Sequence, residues 1–320
     1  MKEYLKFENE GFKSELGYQK LRELFVLTHG KNNDDLSDQI NSKIGKYNNI
    51  NSKGILGDLS NSQIKTMVDK MKIDGFYEFD ISLSDSVVEN IYNYALKTPV
   101  SFLEVATKAQ EASIEKVVFD EKNPISPRYQ YNSAEVFACS ELQNLIFDQS
   151  LLAFAQEYLG CKPILDLVAF WWSAPFSGKG KSAAAQMYHF DLDRIKFMKF
   201  FFYITDVTTH TGPHCYVKGS QGKLPVAINR DGRFEDSEIE LIYGAENLIE
   251  ICGKKGSIIA VDTRGFHKGK ELISGKRLLF QIQFTNSLFG QSYDAIDSDI
   301  IDSSYSDLFN NYNHSYNNIC

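Results

Sequence analysis

The sequence predicts a mainly β protein with an N-terminal helical layer, built around one sandwich or jelly-roll barrel. Two observations support this prediction. From Pro163 onward, short runs rich in β-branched and aromatic residues are separated by Gly, Pro, Asn and Asp, which is typical of an antiparallel sandwich or barrel rather than a parallel α/β sheet. The first half instead has apolar residues at helical spacing, with serines before each run and glycines after it.

Three helices are expected in the first half. Ser60 or Ser62 is the expected N-cap of a helix that ends at Gly75, and Ser84 is the expected N-cap of the second. A third helix is predicted for LQNLIFDQSLLAFAQEYLG. The strands predicted after Pro163 are ILDLVAFWWSA, MYHFDLD, IKFMKFFFYITDV, HCYVKGS, GSIIAVDT and RLLFQIQFT.

A chain of 320 residues can bury one large core or at most two modest ones, and a single domain over residues 1–320 is expected. The polar segment at about 30–57 is expected to be a mobile insertion or short helices outside the core. The polar tail is expected to be disordered, or to cover the barrel opening with Tyr305, Phe309 and Tyr312. The expected parts are a mainly helical layer over 1–160, a jelly-roll core over 161–290 and the tail over 291–320.

The composition limits the possible partners. With 43% hydrophobic and 24% charged residues the chain is typical of a soluble globular protein, and its net charge of −8 argues against nucleic-acid binding. The sequence has no apolar run of membrane-spanning length, and its start lacks the apolar stretch of a signal peptide. The oligomeric state stays open. Free thiols in a reducing cytosol are expected for the five scattered cysteines, at 139, 161, 215, 252 and 320.

The stretch QMYHFDLDRIKF suggests a metal site. His189 and Asp191 lie two positions apart on a predicted strand, so their side chains point to the same face. His267 follows the strand GSIIAVDTRGF, which an antiparallel sandwich can bring back beside them. Two histidines and one carboxylate on one face of an ion suit a non-haem Fe(II) oxygenase. The alternative is a strand face that is simply solvated.

The strand KRLLFQIQF carries a second candidate. The alternation of polar and apolar residues along this strand puts Arg277 and Gln283 on one face and apolar residues on the other. The apolar face is expected to pack in the core, so the polar face meets either solvent or a solvated barrel interior. Nine residues, with two glycines for turning, separate His267 from Arg277, so a hairpin would place Arg277 beside the metal. A guanidinium fork is a natural partner for the far end of a dicarboxylate.

Other polar residues are weaker candidates. Tyr203 and Thr205 lie on a strand that is apolar on both faces, so each needs a partner, either a bound co-substrate or the backbone. The GKGK stretch at 178–181 lacks the frame of a Walker motif. Candidate substrate contacts, each with the alternative of an ordinary solvated or structural residue, are Gln186, His214, Arg264 and Gln283.

Taken in order, four segments resemble the phytanoyl-CoA hydroxylase family of Fe(II)/2-oxoglutarate-dependent oxygenases. They are IKTMVDKMKIDGFYEF, the HFD pair, YITDVTTHTGPHCYVKGSQG, and GSIIAVDTRGFHKGKELISGKRLLFQ, within roughly residues 60 to 290. The sequence departs from the family at Thr211-Gly212-Pro213-His214, where members often carry Asn-Gly-Pro-Leu, and at Gly269, where many carry a hydroxyl residue.

The resemblance implies a double-stranded β-helix with the metal at one mouth. It implies that His189, Asp191 and His267 bind Fe(II), that Arg277 binds the far carboxylate of 2-oxoglutarate, and that dioxygen is the oxidant. The implied reaction hydroxylates an unactivated carbon of a small molecule and releases succinate and CO2. Related halogenases have a small residue in place of the carboxylate ligand, so Asp191 favours hydroxylation. Two alternatives are a cupin-like metalloenzyme that does not use 2-oxoglutarate and a non-catalytic barrel that only binds a ligand.

Overall fold

A computed structural model of the chain describes residues 2–11, 14–104, 112–176 and 186–320. The helices it describes are α1 Lys2–Glu10, α2 Glu15–Leu27, α3 Lys31–Ile44, α4 Asn61–Asp74, α5 Asp85–Lys97, α6 Ser133–Phe137, α7 Ser140–Ile146, α8 Gln149–Leu159, α9 Asp236–Tyr243 and α10 Ser306–Asn311. The strands are β1 Lys53–Gly54, β2 Gly57–Asp58, β3 Phe76–Ser82, β4 Val100–Leu103, β5 Ala112–Val117, β6 Arg128–Tyr131, β7 Ile164–Ser173, β8 Phe197–Tyr203, β9 His214–Val217, β10 Leu248–Ile251, β11 Ser257–Val261, β12 His267–Gly269 and β13 Arg277–Thr285.

Two antiparallel sheets form the centre of the protein. Eight strands make the large sheet, in the order β3–β11–β8–β13–β7–β6–β4–β5, and three make the small sheet, in the order β10–β9–β12. Each neighbouring pair in these sheets is antiparallel. The sequence therefore predicted the antiparallel β architecture correctly.

Helices cover the outer face of the large sheet. Phe280 and Ile282 of β13, together with Trp172 of β7, point to this side and pack in one cluster with apolar residues of α4, α5, α7 and α8. The strand alternation predicted this dry face of β13. None of the described helices is both long and apolar enough to cross a membrane.

The inner face of the large sheet packs against the small sheet. Trp171, Phe201 and Leu279 of the large sheet share a cluster with Tyr216 and Ile251 of the small sheet. Within the described ranges the two sheets remain separate ladders, so the barrel is open rather than closed. This arrangement, with helices on the N-terminal side, is a double-stranded β-helix of the jelly-roll type, as the sequence predicted. Its polar strand faces point into the space between the sheets.

Local sequence signals explain the helix ends. Ser60 forms a capping box with Gln63 at the start of α4, and Gly75 ends that helix with a left-handed φ of 88°. The prediction of one helix over 142–160 was wrong, because two helices, α7 and α8, occupy this stretch. Asp148 starts the second helix by accepting hydrogen bonds from the backbone N–H groups of Ser150 and Leu151.

The polar segment and the tail are both folded. Residues 31–44 form helix α3, in which Leu36 and Ile40 are buried against Phe289. In the tail, the rings of Tyr305 and Phe309 lie 4.5 and 5.1 Å from the ring of Phe147.

Tyr312 packs on Tyr47 at 5.0 Å. The three tail aromatics therefore cover the helical layer and not the opening between the sheets, so both expectations for the tail, a disordered end or a lid made of these residues, were wrong. The physical reason is that Phe147 and Tyr47 offer an apolar surface on which these rings are buried.

A buried ion pair ties the strand β7 to the segment after the metal candidates. Gln283 pairs with Leu167 and Phe284 with Leu165, so Asp166 is the extra residue of a β-bulge. The Asp166 carboxylate accepts two hydrogen bonds from the Arg194 guanidinium, at 2.9 and 2.6 Å, and both side chains are fully buried. Such a pair holds its two segments in one register, since either charge alone would be costly to bury.

We expect Arg194→Met to lower the free energy of unfolding by about 3–5 kcal/mol, because it leaves the Asp166 carboxylate buried without its cation. The matched control is Arg230→Met, which breaks the exposed Arg230–Glu238 pair and should cost less than about 1 kcal/mol. Urea unfolding followed by circular dichroism measures both. Equal losses in the two variants would contradict a structural role for the Asp166–Arg194 pair.

Candidate metal centre and its cavity

Backbone hydrogen bonds bring the metal candidates together. The segment at His189 pairs antiparallel with β12, through the His189 amide to the His267 carbonyl at 3.0 Å and the reverse bond at 2.8 Å. The Asp191 amide donates to the Thr263 carbonyl at 2.8 Å. The small sheet thus gains a fourth, short member, and residues distant in sequence become neighbours at its edge.

The three side chains converge on one point. Nε2 of His189 lies 3.7 Å from Oδ1 of Asp191, and Nε2 of His267 lies 3.5 Å from Oδ2. One donor atom from each of the three residues lies within 4.8 Å of the other two. Because all three donors face the same small volume, one ion can contact them all on a single triangular face.

The far side of each imidazole fixes its orientation. Nδ1 of His189 lies 2.9 Å from the Met187 carbonyl, and Nδ1 of His267 lies 2.9 Å from the Gly265 carbonyl. A carbonyl oxygen only accepts, so each Nδ1 carries the proton and each Nε2 presents a lone pair. Burial, followed by the nearby His267, lowers the pKa of His189 to about 3. The donor set of two imidazoles and one carboxylate therefore fits a divalent transition metal such as Fe(II).

Lys199 is a further charge at this centre. Its Nζ lies 2.7 Å from Oδ2 of Asp191 and 3.6 Å from Oδ2 of Asp193. Burial alone would raise the pKa of Asp191, but the adjacent Lys199 holds that pKa well below its usual value. Asp191 is thus a carboxylate with a fixed orientation, and Asp193 lies beside the cation rather than among the three converging donors.

Arg277 lies on the other side of the same cavity. It donates to the Gly212 carbonyl and, at 3.2 Å, to Oγ of Ser173, while its Nε is buried without a partner among the described residues. The ring of His214 lies 5.3 Å from that of His267, and its Nε2 is also buried and unpartnered there. Two unsatisfied polar atoms beside a metal-type triad indicate room for a polar ligand.

The cavity joins these groups. It has a volume of about 280 Å³ and is lined by the triad and Arg277. Of the substrate candidates, Gln186 and His214 line it. Trp171 lines it too, whereas its neighbour Trp172 is buried on the helical side, as expected for adjacent residues of a strand.

Two expected co-substrate contacts are satisfied elsewhere. The Tyr203 hydroxyl donates to the Ile251 carbonyl at 2.8 Å, and Oγ1 of Thr205 accepts from the Leu278 amide at 3.0 Å. Neither residue lines the cavity. The backbone is therefore the partner that these buried hydroxyls need, which corrects the expectation that 2-oxoglutarate supplies it.

Two expected substrate contacts also lie outside the cavity. The Arg264 guanidinium is buried against Asp262, with Nη2 2.7 Å from the carboxylate. Nε2 of Gln283 donates to Asp166 at 2.7 Å. Gln283 shares a strand face with Arg277, but six residues along a strand span about 20 Å, which takes it past the cavity. Both residues therefore have structural partners where substrate contacts were expected.

Three charged residues of the cavity were not predicted from the sequence: Lys199, Arg128 and Lys270. Lys199 is the single charge within the apolar strand FMKFFFY, and its parity with Phe201 was the signal that could have placed it inside. Arg128 begins β6, where RYQY alternates buried tyrosines with polar residues, and this alternation was the signal for a strand. The GKGK stretch at 178–181 lies outside the described residues.

Comparison with known proteins supports the fold. No protein-family model matches the chain, and no curated protein is significantly similar in sequence. Among solved structures, EctD from S. alaskensis with 2-oxoglutarate and 5-hydroxyectoine aligns with a TM-score of 0.50 and 16% identity, over 76% of this chain and 82% of EctD.

Two further structures align slightly less well. AviO1 from Streptomyces viridochromogenes Tue57 has a TM-score of 0.49 and 15% identity, over 73% of this chain and 100% of AviO1. HygX from Streptomyces hygroscopicus with nickel and 2-oxoglutarate has a TM-score of 0.49 and 16% identity, over 76% of this chain and 94% of HygX. At this identity, the likeness to EctD shows a shared fold and nothing more.

We expect His189→Ala, Asp191→Ala and His267→Ala each to weaken Mn(II) binding by more than the roughly 10- to 100-fold that loss of an outer-shell partner costs. Each change removes a direct ligand from a set of three. Isothermal titration under anaerobic conditions measures the affinity and the stoichiometry, which should be one ion in the unaltered protein.

The control is His210→Ala, which removes an exposed histidine from the turn before β9 and should leave Mn(II) binding unchanged. Retention of stoichiometric, equally tight binding by all three site variants would place the metal site elsewhere.

Proposed function

We propose that the protein is an Fe(II)/2-oxoglutarate-dependent dioxygenase that hydroxylates an unactivated carbon of a small molecule. One observation carries the proposal: a single cavity holds the His189–Asp191–His267 triad and a buried arginine, Arg277, with an unpartnered Nε. A dicarboxylate that chelates a metal with one end needs such a cation for its other end. EctD, which has the same fold, was crystallised with 2-oxoglutarate.

The cavity residues would have two roles: some would hold the iron and the co-substrate, and others would exclude water. His189, Asp191 and His267 would hold the iron, which leaves positions for the 2-oxo acid and dioxygen. When bound with them, iron(II) supplies the oxidative decarboxylation to succinate and CO2 and the oxidation of a substrate C–H bond. Arg277 and Ser173 would bind the far carboxylate of 2-oxoglutarate, so that the 2-oxo acid end of the co-substrate faces the triad.

The other residues of the cavity would orient the co-substrate and Asp191 and shield the reacting centre from water. His214 has a ring 5.0 Å from Phe201 and an unpartnered Nε2, so it would donate or accept one hydrogen bond to the co-substrate between the triad and Arg277. Lys199 keeps Asp191 charged and fixed. Trp171 and Leu279 give the cavity an apolar wall, which excludes water from the reacting centre.

The proposal includes membership of the phytanoyl-CoA hydroxylase branch, which the four ordered sequence segments support, and one oxygenase domain over residues 1–320. The substrate is a small molecule. The five cysteines are all free thiols, in keeping with the proposed cytoplasmic location.

We expect Arg277→Leu to weaken 2-oxoglutarate binding by about 2–4 kcal/mol, or roughly 30- to 1000-fold, because it removes a charge-assisted contact. Anaerobic titration of the Fe(II)-loaded protein, followed by the charge-transfer band of the iron–co-substrate complex, measures the Kd. Arg277→Lys keeps the charge and should lose less.

The matched control is Lys270→Gln, since Lys270 lines the same cavity but is already paired with Glu250 at 2.5 Å. Its 2-oxoglutarate affinity should not change. An unaltered Kd in Arg277→Leu would favour a metalloenzyme that does not use 2-oxoglutarate. Absence of succinate from anaerobically iron-loaded protein, after exposure to oxygen with 2-oxoglutarate and a broad set of small molecules, would favour a non-catalytic binding protein.

A further inference from the structure

The cavity contains a second arginine whose charge the proposed co-substrate does not use. Arg128 and Arg277 are both register partners of Ser173, one from β6 and one from β13. Residues opposite one another on adjacent antiparallel strands point to the same face. Both arginines therefore line the cavity, on opposite sides of the strand that carries Ser173.

The two guanidiniums are turned toward different partners. Arg277 is fixed by the Gly212 carbonyl, on the side of the small sheet. The guanidinium carbon of Arg128 instead lies 4.7 Å from the ring centre of Trp171, a cation–π contact that leaves the edge of the fork available. The guanidinium of Arg128 is therefore oriented to bind a ligand in a part of the cavity that Arg277 does not occupy.

No anion faces Arg128 within the described part of the chain. Its Nε is buried without a hydrogen-bond partner, and no described carboxylate forms an ion pair with its guanidinium. Burial, followed by repulsion from Arg277, lowers the pKa of Arg128 to about 10. Arg128 as a whole is only partly buried, so a ligand that supplies negative charge at its guanidinium would stabilise it.

The charges of the described lining residues, summed with those of the proposed metal ion and 2-oxoglutarate, leave one positive charge unbalanced. Among the described lining residues, Lys199 is the cation that contacts both Asp191 and Asp193, Lys270 is paired with Glu250, and the charge of Arg277 offsets the second aspartate only in the sum over the cavity. A divalent ion and the 2-oxoglutarate dianion balance each other. Among the described lining residues, Arg128 is then the charge that this sum leaves without a counterpart, so the occupied site has room for one more negative charge.

We propose that Arg128 binds a carboxylate of the primary substrate, and that the substrate class is therefore a small organic monocarboxylate with an apolar body. This inference rests on the proposed function, because the charge balance assumes a metal and 2-oxoglutarate in the cavity. The fork of Arg128 matches the two oxygens of a carboxylate. The apolar body would lie against Trp171, Ala169 and Leu279, which line the cavity beside it.

The test compares two probes of the same shape, hexanoate and its uncharged amide, hexanamide. The protein is first loaded anaerobically with Mn(II) and 2-oxoglutarate, so that the metal and the Arg277 site are filled. The change in tryptophan fluorescence then reports the Kd of each probe, because Trp171 lines the cavity whereas Trp172, the other tryptophan, is buried on the helical side. We expect hexanoate to bind at least about tenfold more tightly than hexanamide, because a hydrogen-bonded charge is worth about this much.

Three variants identify the residue responsible. Arg128→Gln should reduce the preference for hexanoate to about one, whereas Arg128→Lys should keep part of it, which separates loss of charge from loss of fold. Lys270→Gln, the paired lysine of the same cavity, should keep the full preference. The 2-oxoglutarate Kd of Arg128→Gln should stay within about threefold of the unaltered protein, far less than the change expected for Arg277→Leu.

Two results would overturn the inference: equal binding of the two probes by the unaltered protein, or a loss of 2-oxoglutarate affinity in Arg128→Gln as large as in Arg277→Leu. The second result would make Arg128 another co-substrate residue. Failure of the proposed function is distinguishable, because it would be seen in the loading step, as no 2-oxoglutarate binding, before either probe is added.

Discussion

The site depends on the pair of backbone hydrogen bonds between His189 and His267. These bonds join the short segment between β7 and β8 to the small sheet, and they set the two imidazoles side by side, with ring centres 4.3 Å apart. Each ring is then held by the carbonyl of the residue two positions earlier, Met187 or Gly265. Asp191 follows at the same strand parity, so one local pairing orients all three donors.

The surroundings protect this geometry. On one side the bulge at Asp166 turns a carboxylate toward Arg194, and the resulting buried pair fixes the chain just beyond Asp191. On the other side, Tyr216 donates to the Asp262 carbonyl at 2.7 Å, and Asp262 in turn holds Arg264. Arg264, which was predicted as a substrate contact, thus stabilises the loop that carries His267.

The positions of three cationic side chains limit which ligands the cavity can bind, as its shape does. Lys199 balances the carboxylates at the triad, Arg277 is fixed by Gly212 and Ser173, and Arg128 is left facing the open space over Trp171. These three cations come from three different strands of the large sheet, β8, β13 and β6. Since the sheet is rigid, their separation is built into the fold, and the ligands that neutralise them must match it.

The sequence by itself determined the antiparallel β class, the dry face of β13 and the shared face of His189 and Asp191, because strand parity and hydrophobic alternation are local properties of the chain. That His267 joins them was implied by the order of the four sequence segments. The sequence also determined the caps at Ser60 and Gly75. It did not determine which polar residues of a face reach the cavity. Arg277 does, whereas Gln283, on the same face of β13, is too far along the strand.

Only the tertiary structure decided the partners of Tyr203, Thr205 and Arg264, since a buried polar group takes whichever acceptor or donor the neighbouring segments bring within reach. It likewise decided that the tail packs on Phe147 and that Arg128 stands beside Ser173. These contacts join residues far apart in the chain, and their energies depend on burial, which parity along one strand cannot report.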